Sequence, residues 1–257
     1  MNNNWAAVIT AGGYANPKLE AKFGCRVKSL AHLGSRSLLT RAVEAIQAAG
    51  INEIVVVGDS QVREALQHNQ QIKHAERGAN PVRSAENGIQ SVSSAENILF
   101  FPADTPFITQ EHVEQFCEAC EHRARGSKDW LALGICSKRD VQAELPNAPY
   151  SYVRLREGAF ATSSLQAGTR HAFHNALNLL SQISENRKSK LAVARMFGIT
   201  NVVRLLTGNL TIPTIEARAA KWLRSDCFII RDTHPLASFD IDDVADWDYA
   251  QNFAAKE

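Results

Sequence analysis

Ala6-Ala7-Val8-Ile9-Thr10 runs directly into Ala11-Gly12-Gly13 near the start of this chain, an apolar segment that stops on two glycines. Consecutive apolar residues, without alternation, are what a parallel strand covered on both faces requires. A strand that ends in glycines lets a phosphate approach the backbone closely, because no Cβ stands in the way. Taken alone, Gly-Gly after a strand reads as a turn. Its context raises the functional reading. Lys28 follows within Gly24-Cys25-Arg26-Val27-Lys28, and Leu33-Gly34-Ser35-Arg36-Ser37 then opens a helix.

Working outward, Ile54–Gly58, Ile98–Pro102 and Trp130–Cys136 are further short apolar runs of strand character. Between them, Ser37–Ala49, Ser60–Asn69, Arg83–Ser94 and Gln110–Arg125 carry helical periodicity. Gly50 stands where a terminating glycine belongs, and Thr109 where an N-cap does. Strands separated by helices predict an α/β fold, a three-layer Rossmann-like, mostly parallel sheet with helices on both faces. Its site is then expected at the carboxyl ends of the strands. The second half differs. Tyr150–Arg156 reads as an antiparallel or edge strand, Glu157-Gly158 as a turn and Ala159–Ser163 as the returning hairpin arm. A mostly helical stretch follows over about 168–223, then a strand Cys227–Arg231 and a closing helix to Phe253. No repeat or long linker interrupts the chain, so residues 1–257 are expected to form one domain with a C-terminal helical insertion.

The formal net charge of +1 offers no electrostatic case for a nucleic-acid or membrane-surface binder. No apolar run approaches membrane-spanning length, and Met1-Asn2-Asn3-Asn4-Trp5 has no leader-like character, which together predict a cytoplasmic protein. The five cysteines are odd in number and scattered, as reduced thiols are. Cys117 and Cys120 with His112 and His122 invite a zinc reading. They fall within one amphipathic helix and no second cysteine pair follows, so a core role is expected.

Two acidic marks remain. Asp104 follows the Ile98–Pro102 strand within Ala103-Asp104-Thr105-Pro106, and Asp240-Ile241-Asp242 lies near the C-terminus. Asp240 and Asp242 alternate with Ile241, so both carboxylates would face one side. Such a pair is costly to keep ionised without a cation or strong donors. Carboxylates at strand ends can hold Mg²⁺ (or Mn²⁺) between phosphates. Asp246 is expected to serve the start of the final helix.

On these residues the chain resembles the MobA-like nucleotidyltransferases, a GT-A-type family. The strand ending Ala11-Gly12-Gly13, the segment Lys28-Ser-Leu30-Ala-His-Leu33-Gly34 and the later Leu38-Leu39 match its opening motifs. Ser84-Ala-Glu-Asn87-Gly88 matches the segment before its central strand, Asp104-Thr-Pro106 its D-x-P, and Asp242 with Asp246-Trp247 its closing motif. The middle is similar to a bacterial subgroup through Tyr152-Val-Arg154-Leu-Arg156-Glu-Gly158-Ala-Phe160, Arg187-Lys188 and Leu205-Leu-Thr-Gly208-Asn-Leu210. The resemblance implies transfer of a nucleotidyl group from an NTP to a phosphorylated or hydroxylated small molecule, with release of pyrophosphate. It implies Ala11, Gly12 and Gly13 around the phosphates, Lys28 and Asp104 as catalytic, and Asp104 with Asp242 holding Mg²⁺, Asp240 in reserve. Ser84, Asn87 and Gly88 would contact base or ribose. Arg154, Arg156, Arg187 and Lys188 are the candidates for the acceptor, since guanidinium forks suit phosphate. A solvated basic face accounts for them equally well.

The chain departs from the family in its loop. The R-M-G triplet usual after the glycines is absent from Tyr14–Phe23, leaving Arg26 or Lys22 as candidate replacements. Thr162-Ser163-Ser164 likewise stands where the subgroup carries Gly-Asn. Two alternatives share these residues: a GT-A glycosyltransferase consuming a nucleotide sugar, and a non-catalytic nucleotide-binding regulatory protein. The first usually carries its D-x-D on a central strand, where this chain has only Asp104.

Overall fold

The computed structural model describes residues 4–69, 71–185 and 198–255. At its centre stands β1 (Trp5–Thr10), whose side chains serve two cores in alternation. Trp5, Ala7 and Ile9 face one layer, while Ala6 and Val8 face the other. Strands β4 (Glu53–Gly58) and β6 (Asn97–Pro102) flank β1 in parallel. Helices α2 (Leu38–Ala48) and α5 (Gln110–Arg123) cover the first face, and α4 (Pro81–Gln90) and α7 (Arg170–Glu185) the second. The predicted α/β sheet with helices on both faces is thus the one observed, in the strand order β10 (Asp226–Ile230), β7 (Trp130–Ser137), β9 (Gly158–Thr169), β6, β1, β4, β5 (Ile72–Glu76).

Around this frame lie short elements. They are α1 (Pro17–Phe23), the two-residue strands β2 (His32–Leu33) and β3 (Arg36–Ser37), and α3 (Ser60–Ala65). β7 (Trp130–Ser137) leads into α6 (Lys138–Glu144), and β8 (Val153–Leu155) turns into the next strand. In the second half, α8 (Ile199–Leu206) and α9 (Ile212–Leu223) precede β10 (Asp226–Ile230) and α10 (Val244–Ala254).

Two strands depart from expectation. β5 (Ile72–Glu76) is a parallel edge strand beside β4, unpredicted because its exposed positions are polar. β9 (Gly158–Thr169) does more than return a hairpin. It continues antiparallel between β6 and β7, so the helical stretch begins at Arg170 and Gly168 lies in the sheet. Its Ser, Thr, Gly and Ala residues hid it from a hydrophobic pattern. They are also what lets it fit there, since a Cβ on Gly134 of β7 would stand 2.8 Å from Ser163 Cβ.

Cys117 and Cys120 are buried in the α5 core, as expected. Thr109 caps α5 in a reciprocal box, with its own N–H donating to His112 Nδ1 at 3.3 Å. His112 is buried and stacked on His234 at 4.1 Å between centroids. Burial first, then the neighbouring His234, pushes His112 down to about 4. Its folded value lies below its unfolded one, so the unfolded chain takes up the proton first as pH falls. Stability is therefore full above about pH 6.5 and declines toward pH 4, by on the order of 2–3 kcal/mol from this residue. His112→Gln keeps an N3 acceptor for the box. In urea unfolding at pH 7 and pH 4.5 it is expected to lose less stability on acidification than the wild type does.

Candidate active site

β1 delivers its glycine turn to the carboxyl edge of the sheet. Ala11 N–H donates to Val57 O at 2.8 Å, so that group is engaged by the neighbouring strand. Among the described residues, the N–H groups of Gly12 and Gly13 have no protein acceptor, which leaves them for an anion. Lys28 N–H donates to Gly13 O at 2.9 Å, and Ser29 Oγ to Ala11 O at 2.8 Å, fixing the turn against the lysine segment. The longer loop between them folds into α1, capped by Asn16 at its start and by Gly24 at its end. That helix is held to α10 by the Phe23–Trp247 edge contact and the Lys22–Asp248 ion pair at 2.9 Å.

The acids meet at the same edge. Ile241 N–H donates to Asp104 O at 3.1 Å, which lays the Asp240–Asp242 segment beside the end of β6. Lys28 Nζ stands 2.6 Å from Asp104 Oδ2 and 3.0 Å from Asp242 Oδ1, and donates to Ile241 O at 2.8 Å. Two carboxylates far apart in sequence, Asp104 and Asp242, thus share the single ammonium of Lys28. Burial opposes the charge on Lys28, but Asp104 and then Asp242 outweigh it and hold its pKa above the ordinary lysine value. The group is a fixed cation at neutral pH. Asp240 is pushed up to about 6 by desolvation, then by the carboxylates of Asp242 and Asp104; neither it nor Asp242 lines the adjacent cleft. The Asp240 side chain nevertheless reaches solvent, so the energetic cost is smaller than that shift implies.

Asp240→Asn gives a signed expectation. A carboxyl raised from 3.8 to about 6 costs folding stability once pH exceeds the folded value and costs nothing below about 4. Removing it should stabilise the metal-free protein at pH 7.5 by about 1 kcal/mol after allowing for solvent access, seen as a higher Tm, and leave Tm unchanged at pH 4. Calorimetry at the two values tests it.

A cleft of about 640 Å³ opens here, with Gly12, Gly13, Lys28, Asp104 and Ser84 on its walls. Ser84 Oγ accepts from Gly78 N–H at 3.0 Å, which orders the loop before α4. Asn87 and Gly88 do not line the cleft. Asn87 donates to Glu76 O, and a Cβ on Gly88 would lie 2.6 Å from both Val8 and Val57, so Gly88 seats α4 on the sheet. Arg154 and Arg156 are not on the cleft walls either. Arg154 lies against Gly208, and Arg156 N–H donates to Leu210 O, which ties β8 to the segment before α9. The acceptor role expected of these two arginines is not carried forward. Arg187 and Lys188 lie outside the described residues.

Sequence reasoning missed Arg77. It follows β5, lines the cleft and lies over Gly12, where an added Cβ would stand 3.1 Å from its Cδ. Its guanidinium sits 4.1 Å from the Tyr14 ring centroid, with Arg26 at 4.4 Å. Tyr14 in turn donates to Asp59 Oδ2 at 3.0 Å. Lys22 and Arg26 are absent from the cleft walls, and the arginine that reaches the turn is Arg77. No local pattern marks it, because β5 is a polar edge strand.

The donor set fits a divalent cation. Asp104 Oδ1 is buried without a hydrogen-bond partner, and Asp242 is largely exposed beside it. No group of three or more His, Cys, Asp or Glu among the described residues is arranged for a metal ion. Two carboxylates completed by substrate phosphates is the usual arrangement for Mg²⁺.

Sheet order, glycine turn and paired acids define a nucleotidyltransferase-type α/β fold. Residues 7–132 match the model of the MobA-like NTP transferase domain, and this part of the chain is a domain of that family. Among solved structures it is similar to a hypothetical transferase from Thermus thermophilus, with 26% identity over 95% of this chain and 99% of that one and a TM-score of 0.76. A nucleotidyl transferase from Methanothermobacter thermautotrophicus shares the fold at 15% identity, 99% of both chains and a TM-score of 0.61. So does a CMP:2-keto-3-deoxy-manno-octonic acid synthetase complexed with CTP, at 14% identity, 98% and 99% coverage and a TM-score of 0.61. No curated protein matches the sequence.

Proposed function

We propose that this protein is a Mg²⁺-dependent nucleotidyltransferase that moves NMP from an NTP to a phosphorylated or hydroxylated small molecule and releases pyrophosphate. The convergence of Asp104 and Asp242 on Lys28, with Lys28 and Asp104 lining the cleft beside the glycine turn, carries the reading. An acceptor oxygen attacks the α-phosphorus, and the bond from that phosphorus to the bridging oxygen breaks as pyrophosphate departs. Positioning and charge neutralisation lower such a barrier. Gly12 and Gly13 N–H groups receive phosphate oxygens, and Arg77 supplies a second cation above them. Lys28, held protonated, is an electrostatic stabiliser and not a base. Asp104 and Asp242 would hold the metal, with Asp240 alongside. When bound, a divalent ion neutralises phosphate charge and polarises the phosphoryl oxygens. Ser84 faces the base or ribose from the α4 side.

No helix among the described residues is long and apolar enough to cross a membrane. The five free cysteines suit a reducing compartment, and the cytoplasm is the one we assign.

The deciding experiment measures pyrophosphate release with ATP, CTP, GTP and UTP against a panel of sugar and alcohol phosphates in Mg²⁺. Release with one NTP and one acceptor class is expected. Sugar transfer from a nucleotide sugar without pyrophosphate would reassign the chain to glycosyl transfer, and binding without turnover would make it a regulatory nucleotide sensor.

A further inference from the structure

The cleft extends beyond what a phosphate cradle requires, and its inner half is apolar. From Asp104 it continues over the sheet face that α4 and α7 cover, with Phe100 and Leu131 in its floor and Phe173, Ala176 and Leu177 along α7. Phe100 and Pro102 sit two apart on β6 and both line it, with Asp104 two residues further. One strand and the turn that follows it therefore carry the apolar floor and the acidic end. Phe100, Leu131 and Leu177 are only half-buried there, unlike their neighbours in the close-packed core. An open apolar chamber costs folding stability in proportion to its volume. Water gains little in it, because Gln166 is the one polar side chain described on that inner part.

The strand order says which substrate meets this chamber. Ser84 and Arg77 stand on the β4–β5–α4 side of β1, where the nucleotide is assigned. Phe100, Leu131 and Gln166 belong to β6, β7 and β9, on the other side, under α7. On the transferase reading above, that is the side left for the acceptor.

We propose that the acceptor is amphipathic, a phosphate or hydroxyl head at Lys28 and Asp104 joined to a hydrocarbon chain that enters the chamber beneath α7. The product is that chain linked to the nucleotide through its head group, with pyrophosphate as the other product.

Saturated n-alkyl phosphates from methyl to decyl, each below its micelle concentration, are titrated calorimetrically into the full chain with Mg²⁺. Affinity is expected to climb about two- to fourfold per added methylene until the chamber is full. Ala176→Phe, which fills the chamber, and Leu177→Gln, which makes it polar, should each flatten that climb. Binding of the preferred NTP, measured separately, should stay within about twofold in both variants, a change worth under about 0.4 kcal/mol. Either variant suffices if the other does not fold. Length-independent affinity in the wild type overturns the proposal. So does a loss of NTP affinity in the folded variants as large as the loss for decyl phosphate, which would give the chamber to the nucleotide. A length-dependent climb without pyrophosphate release from any NTP would keep the amphiphile site and remove the transferase reading. Turnover of a short polar phosphate with no length dependence would do the reverse.

Discussion

Lys28→Met is expected to slow pyrophosphate release by about 10²–10³-fold, the range seen when one preorganised stabiliser of developing charge is removed. The same change should destabilise the metal-free protein. Asp104 is mostly enclosed and has Lys28 as its ion-pair partner, whereas Asp242 is largely exposed and can turn to water. Leaving Asp104 with an uncompensated charge should lower stability by about 1–3 kcal/mol. The sign reverses when Mn²⁺ is added. The lysine occupies the place between the carboxylates where a divalent ion would be attracted, so the variant should gain more Tm from Mn²⁺ than the wild type gains. Thermal melts with and without Mn²⁺ read this without any turnover. An equal metal-induced gain in both proteins would mean that Lys28 and the metal do not share these carboxylates.

Asp104→Asn is expected to be more severe, with turnover reduced by 10³-fold or more on the order assigned to loss of electrostatic preorganisation and metal together. The carboxamide keeps the shape but removes the charge, and it places an N–H₂ group where one oxygen faces Lys28 at 2.6 Å. The scaffold should survive, because the segment's register depends on the backbone bond from Ile241 N–H to Asp104 O. Circular dichroism should therefore be unchanged while the Mn²⁺-induced Tm shift disappears. Turnover that persists in this variant would remove Asp104 from the metal assignment, whatever the fate of the fold.

How much of this could be read from the chain depends on where each signal resides. β1, β4, β6 and β7 were legible because both faces of a parallel sheet are covered, which forces continuous apolar runs. The positions of Lys28, Asp104 and Asp242 were legible because each follows a strand or a recognisable motif. Their sharing of one ammonium was not, since it rests on the Ile241–Asp104 backbone bond between segments far apart in sequence. β9 escaped because small polar residues were selected for fit between two strands, and hydrophobic periodicity is blind to fit. Gly88 drew a nucleotide-binding reading from its motif, but packing against Val8 and Val57 accounts for it. Arg77 could not be found at all without the tertiary structure, since only the approach of β5 to β1's turn gives it a role.

The position of β9 also governs how the molecule comes together during synthesis. It is the seam that joins β6 to β7, antiparallel to both, and it is made from residues 158–169. A nascent chain that has emerged only as far as α6 therefore carries two unzipped inner borders, at β6 and at β7. Such borders invite pairing with other chains. The half that bears the glycine turn, Lys28 and Asp104 cannot be cut away as a compact enzyme in miniature. Its sheet is sutured shut by the half that follows.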